Sequence, residues 1–170
     1  MRDGQVVACC GAVIVTVVLS SVASTLPERK SYLSPFQDAW KAFFQTSVFV
    51  VYQRSFERDL LLGGDGQCFH GRIYKWNHEE KYSLAETYYW DNATAKIIKK
   101  PVYLYPEATP GYEVPNAMAV SPYKGCELWV TRQGVQNVRS ACLFIYDLLC
   151  GPNKFQKYDE EFCRDKIQIR

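Results

Sequence analysis

Apolar residues recur along this chain with two periods, and the two-residue period dominates. Ser47 to Phe56 is rich in Val, Phe and Tyr with little polar interruption in its first half, which predicts a strand. Gly63-Gly64-Asp65-Gly66 then predicts a turn, Gln67 to Trp76 a second strand, and Asn77-His78-Glu79-Glu80 another turn. Lys81 to Trp90 alternates, so that Tyr82, Leu84, Glu86, Tyr88 and Trp90 share one face while Ser83, Ala85, Thr87 and Tyr89 share the other. The first face is the apolar one, yet it carries Glu86. Asp91-Asn92 turns the chain, and Thr94 to Tyr105 predicts a further strand that Pro101 pushes toward an edge or a break. Between Pro106 and Tyr123, Pro106, Pro110, Gly111, Pro115 and Pro122 leave little sign of regular structure, and Cys126 to Thr131 is again a strand.

The 3.6-residue period is found in two places. Asp38 caps a short helix carrying Ala39, Trp40, Phe43 and Phe44, and Asn137 or Ser140 opens a second one with Val138, Cys142, Ile145 and Leu149 on one side. Gly151-Pro152 ends the latter, and Phe155 to Cys163 has room for one more short strand. Aromatic-rich antiparallel strands joined by tight turns, with one helix near the end, predict a small all-β barrel with that helix packed outside.

Residues 6–19 form an uncharged apolar run after Arg2, too short to span a bilayer comfortably and followed by the small residues Ser21 and Ala23. They predict a secretory signal peptide over 1–23, with residues 24–170 as a single domain. Twelve Tyr, nine Phe and four Trp suit strands and an aromatic-lined cavity better than a helical bundle. A formal net charge of +2 with scattered basic residues argues against nucleic acid or an anionic membrane as partner. Removal of Cys9 and Cys10 with the leader leaves Cys68, Cys126, Cys142, Cys150 and Cys163 in an oxidising compartment, an odd number. Asn92-Ala93-Thr94 is an N-glycosylation acceptor at an expected turn.

Three carboxylates are candidates for binding chemistry. Glu127 and Trp129 share one face of their strand, and Leu128 and Val130 share the other. Pattern alone sends Leu128 and Val130 to the core and leaves Glu127 in water. A barrel allows the inverse, in which a helix covers Leu128 and Val130 while Glu127 and Trp129 look into the cavity. An inward carboxylate then requires a cation, supplied by a ligand or by Arg or Lys. Glu86 is either a second cavity carboxylate or part of an ion pair at the rim, and Asp59 is either a third or a turn residue. Together with Phe56, Tyr88, Trp90 and Trp129, these carboxylates have the composition of a cage for a small organic cation. His70 and His78 lack metal-ligand spacing, and no nucleophile motif, phosphate loop or metal signature accompanies the carboxylates. The chain therefore reads as a binder that needs no cofactor, not as an enzyme.

Gln37-Asp38-Ala39-Trp40-Lys41, Ser55-Phe56-Glu57-Arg58-Asp59, Cys68, Cys126-Glu127-Leu128-Trp129-Val130, Cys142, Leu149-Cys150-Gly151-Pro152 and Cys163 resemble, in this order, the tick salivary lipocalins, the family of the histamine-binding proteins. The resemblance covers most of the region after the leader and is densest over 126–163, although the Gly-x-Trp signature of other lipocalins is not apparent. It implies an eight-stranded antiparallel barrel with a C-terminal helix, secreted in saliva to sequester host mediators; the chain is expected to act as a monomer. It further implies that Glu127 and Trp129 line an amine site, that Asp59 matches an acidic ligand residue, that Phe56 replaces a tyrosine and that Glu86 matches a cavity glutamate. The implied disulfides are Cys68–Cys163 and Cys126–Cys150, which leave Cys142 as the thiol outside the pairing.

Two departures from the family pattern are visible. The loop from Pro106 to Tyr123 holds neither the family's partner for Cys142 nor a convincing strand, so one or two barrel strands are expected to be missing. Around Thr46 the acidic residues of the family's second amine site are absent. The resulting expectation is a binder of a biogenic amine such as histamine or serotonin. The alternatives are a carrier of acidic lipids using Arg54, Arg72 and Lys75, and an inhibitor that meets host complement or clotting proteins through its loops.

Overall fold

A computed structural model of the chain describes residues 48–59, 63–108, 112–115 and 126–167, with Asp38, Lys41 and the strand segments 5–9, 13–17 and 117–119. Nine strands form one antiparallel sheet. They are β1 (Gln5–Cys9), β2 (Val13–Val17), β3 (Phe49–Arg54), β4 (Gln67–Asn77), β5 (Tyr82–Asp91), β6 (Lys96–Glu107), β7 (Ala117–Ala119), β8 (Cys126–Thr131) and β9 (Phe155–Gln156). The hydrogen-bonded path runs β1-β2-β8-β3-β4-β5-β6-β7, with β9 beside β3, so the barrel is unclosed between β1 and β7. Helices α1 (Ser140–Cys150) and α2 (Glu160–Cys163) follow the last long strand.

Each strand expected after residue 46 is present within a few residues of its expected bounds. Pro101 lies within β6 opposite Glu86, on a stretch whose other edge has no neighbour among the described residues, because β7 pairs only with 105–107. A proline is tolerated there since no ladder bond is asked of it. The loop from Pro106 to Tyr123 needs correction: β6 continues through Glu107, and Ala117–Ala119 forms a short strand against it. Ala117, Met118 and Ala119 lie between Pro115 and Pro122 and pair with Glu107, Pro106 and Tyr105. Lys41 donates its backbone N–H to Asp38 Oδ1 at 3.1 Å, the bond of a helix cap, and the rest of that expected helix lies outside the described residues.

β2 lies along the outer edge of β8 with Thr16 opposite Glu127, where the sequence suggested a strand was missing. Both β1 and β2 fall within the expected leader.

The core has two parts, one on each face of the sheet. Outside, Val50, Leu128 and Val130 pack with Cys142 and Tyr146 of α1 and with Tyr158, Cys163 and Ile167 of the C-terminal segment. Inside, Val51, Phe69 and Tyr89 pack together, with Ile98 and Trp129 against them. Strand α-carbon alternation thus becomes two apolar faces instead of one, because helix and tail cover what would otherwise be the solvent side. Disulfides Cys68–Cys163 and Cys126–Cys150 tie that covering layer to β4 and β8. Cys142 is buried in the outer core and belongs to neither bridge. Arg139 precedes α1 without a side-chain cap, in place of the expected Asn137 or Ser140, and Gly151 ends it at φ +78°, a conformation that favours glycine.

Candidate functional site

Leu128 and Val130 belong to the outer core, so Glu127 and Trp129 face the barrel interior. The inverted arrangement of this strand is the one the structure has, and α1 is the physical reason. Trp129 donates its indole Nε1–H to Glu127 Oε2 at 2.8 Å. The other carboxylate oxygen, Oε1, lies 2.5 Å from Arg54 Nε. Both partners are removed from water, Arg54 being 1% and Glu127 6% exposed.

Arg54 reaches this position through a backbone irregularity. β3 and β8 pair Val51 with Trp129 and then Gln53 with Leu128, a register shift that places two residues of β3 against one of β8. Without the shift, strict alternation from the inward Val51 would turn residue 54 outward. With it, Arg54 stands opposite Glu127 on the inner face. The guanidinium carbon lies 3.8 Å from the centroid of Phe69 and 5.3 Å from that of Phe56. A buried cation between a carboxylate and aromatic faces is well stabilised there. Nη1 of the same group is buried without a hydrogen-bond partner.

Lys157 is also buried, and its ammonium donates to the carbonyl of Glu57 at 2.9 Å. Burial, aided by the Arg54 charge, holds its pKa below the ordinary lysine value. Asp59 is buried in the loop that leaves β3, where its backbone pairs with Gly64.

The remaining expected cage residues are not brought to this place. Tyr89 packs inside with Phe69, so β5 alternation turns Glu86, Tyr88 and Trp90 outward. Tyr88 stacks on His70 and donates its hydroxyl to Glu86 Oε2 at 2.9 Å, and Lys99 Nζ lies 2.5 Å from Glu86 Oε1. Those two bonds, Lys99 first, hold the Glu86 carboxyl below the usual carboxylate range. Trp90 meets Phe162 edge-on, with Lys166 over its ring. Of this face Trp90 meets the tail and Tyr82 meets Tyr103 and Tyr105, while Ser83 and Ala85 face inward with Tyr89. Arg72 is half-buried and Lys75 exposed, while Asn92 sits exposed in the turn held by Asp91 and Thr94. His70 and His78 belong to no metal-ligating group among the described residues.

From sequence Arg54 is legible only as a basic residue at the barrel mouth; its inward turn depends on a bulge that no residue type announces. Lys157 was missed because its neighbours, Gln156 and Tyr158, carry no distinctive motif.

A family model described as tick histamine binding protein matches residues 27–124 and 119–165. The chain belongs to this family. It is a family of salivary binding proteins of lipocalin-like fold, and no helix among the described residues is long and apolar enough to cross a membrane. No curated protein matches the chain. Among solved structures, it is similar to Japanin from Rhipicephalus appendiculatus bound to cholesterol, at 14% identity and a TM-score of 0.47, covering 70% of this chain and 97% of that one.

Proposed function

We propose that the protein is secreted after removal of residues 1–23 and sequesters a small host mediator, a biogenic amine such as histamine or serotonin, inside the barrel. The observation that carries this is the buried Glu127 carboxylate, fixed by the Trp129 indole N–H on the inner face of β8. A carboxylate so placed needs a cation; Arg54 supplies it within the chain, and an organic cation taking its place would meet the same carboxylate and ring faces. Phe56 stands on the same side through its contact with Arg54, and Asp59 lies in the adjoining loop. Glu86, Tyr88 and Trp90 belong to the outer face and take no part in this reading.

Calorimetry with histamine at neutral pH tests it. One site is expected, with affinity reduced at least about tenfold, or about 1.4 kcal/mol, in Glu127→Gln. Absence of binding to both histamine and serotonin would sink the proposal.

One observation favours a second reading, an acidic lipid as ligand. Arg54 Nη1 is a buried donor without a partner, and a carboxylate entering the barrel would supply an acceptor for it. Displacement of a fluorescent fatty acid by leukotriene, weakened in Arg54→Gln, would support that ligand class.

A further inference from the structure

The amine site is already occupied by a cation of the chain itself. Arg54 Nε is at 2.5 Å from Glu127 Oε1, Trp129 Nε1 takes Oε2, and the guanidinium rests on the face of Phe69. These are contacts of the kind an aminium ligand would make: an ion pair with the carboxylate and a ring beneath the positive charge. We propose that Arg54 acts as a tethered pseudo-ligand that sets the specificity of the site, so that a free amine binds at Glu127 only by displacing the guanidinium.

Three observations support this. The shift in β3 between Val51 and Gln53 is what turns Arg54 inward, so its position is built into the backbone. The side chain is 1% exposed, so that release from Glu127 takes the charge through a low-dielectric interior. Lys157 holds a second positive group close enough for the two charges to disfavour one another, which opposes movement of Arg54 toward it. A competitor attached to the same strand pair acts at an effective concentration of about millimolar or above, and it is never diluted away. Amines are thereby selected for the strength with which they replace a guanidinium, not simply for carrying a charge.

This inference rests on the amine reading above, and the experiment separates the two. Histamine binding is measured by calorimetry for the wild-type protein, Arg54→Met, Arg54→Lys and the double variant Arg54→Met/Glu127→Gln. The expected result is binding at least about tenfold tighter in Arg54→Met, a smaller gain in Arg54→Lys, and loss of the gain in the double variant. Wild-type binding with no gain in either single variant overturns the pseudo-ligand while leaving the amine reading intact. No histamine or serotonin binding by wild type or by either variant overturns both.

If Arg54→Met does not fold, the wild-type protein itself decides through arginine side-chain NMR. The Nε–H of Arg54 is expected to be protected from solvent exchange without ligand and to lose that protection as histamine is added. Saturation with histamine while the Arg54 Nε–H stays protected overturns the proposal.

Discussion

At the scale of the residue, the Arg54–Glu127 pair determines the energetics of the barrel interior. Removing one member of a buried pair typically costs about 3–5 kcal/mol, because the other charge remains buried without a counter-charge. Glu127→Gln is therefore expected to lower the unfolding free energy measured in urea by about 3 kcal/mol, and Arg54→Met/Glu127→Gln by clearly less than the sum of the single changes. Additive losses would show that the pair is not coupled.

His70 gives a pH dependence of its own. Its ring is buried against Tyr88, with Nδ1 2.6 Å from the carbonyl of Cys68. Burial lowers its pKa from the ordinary 6.5, the bond to Cys68 raises it in part, and the charge of Arg132 lowers it further. The folded state holds the neutral ring while the unfolded chain takes up a proton near 6.5, so this contribution to stability is complete above that pH. It declines as the pH falls from there through the lower folded value. Thermal melts between pH 7 and 5 should show a steeper loss for the wild type than for His70→Gln.

At the scale of the element, β3, β5 and the loop between β3 and β4 set the shape of the interior. Gly63 is at φ +105°, and a Cβ there would stand 2.7 Å from the ring of Tyr89, which packs against Phe69 inside the barrel. Glycine is required twice over, by the backbone conformation and by the approach of the ring. Gly63→Ala is expected to lower the melting temperature by several degrees, corresponding to about 1–3 kcal/mol, and to shift Tyr89 toward the cavity. An unchanged melting temperature would contradict the close packing of this loop. β5 meanwhile turns Trp90 toward Phe162 and Lys166 on its outer side and Ser83, Ala85, Thr87 and Tyr89 inward, where the Tyr89 ring stacks on Phe69.

At the scale of the whole molecule, the C-terminal segment is a second wall, bound by two disulfides. Cys68–Cys163 joins residues 95 apart in sequence and brings α2 against β4. Loss of the bridge in Cys68→Ser/Cys163→Ser is expected to cost about 2–5 kcal/mol in urea unfolding and to loosen Trp90 and Phe162 first. The expected leader contains β1 and β2, which are hydrogen-bonded to each other and, through β2, to β8. Signal cleavage would leave the outer edge of β8 without that neighbour. N-terminal sequencing of the secreted protein is expected to begin near Ser24, with the β8 amides that faced β2 exchanging quickly in deuterium. A mature chain that retains Gln5–Val17 would show that the hairpin belongs to the barrel.

Alternation of apolar residues, turn glycines and the order of the cysteines determined much by themselves: the strands from Phe49 to Asp91, the strand of Cys126, the helix after it, and a family resemblance centred on Glu127-Leu128-Trp129. Each of these signals is local, and local preference suffices where strand and turn chemistry agree. Which face of a strand points inward is not local. Glu86, Tyr88 and Trp90 looked like cavity residues because their face is apolar, yet the structure turns that face outward, where Trp90 meets the tail, Tyr88 stacks on His70 and Glu86 pairs with Lys99, and alternation cannot tell one environment from the other. The same holds for Arg54. A one-residue shift in β3, set by its pairing with β8, turned a surface-type side chain into the partner of Glu127. The sequence supplied both charges, and only the tertiary pairing of two strands 73 positions apart at Arg54 and Glu127 decided that they meet.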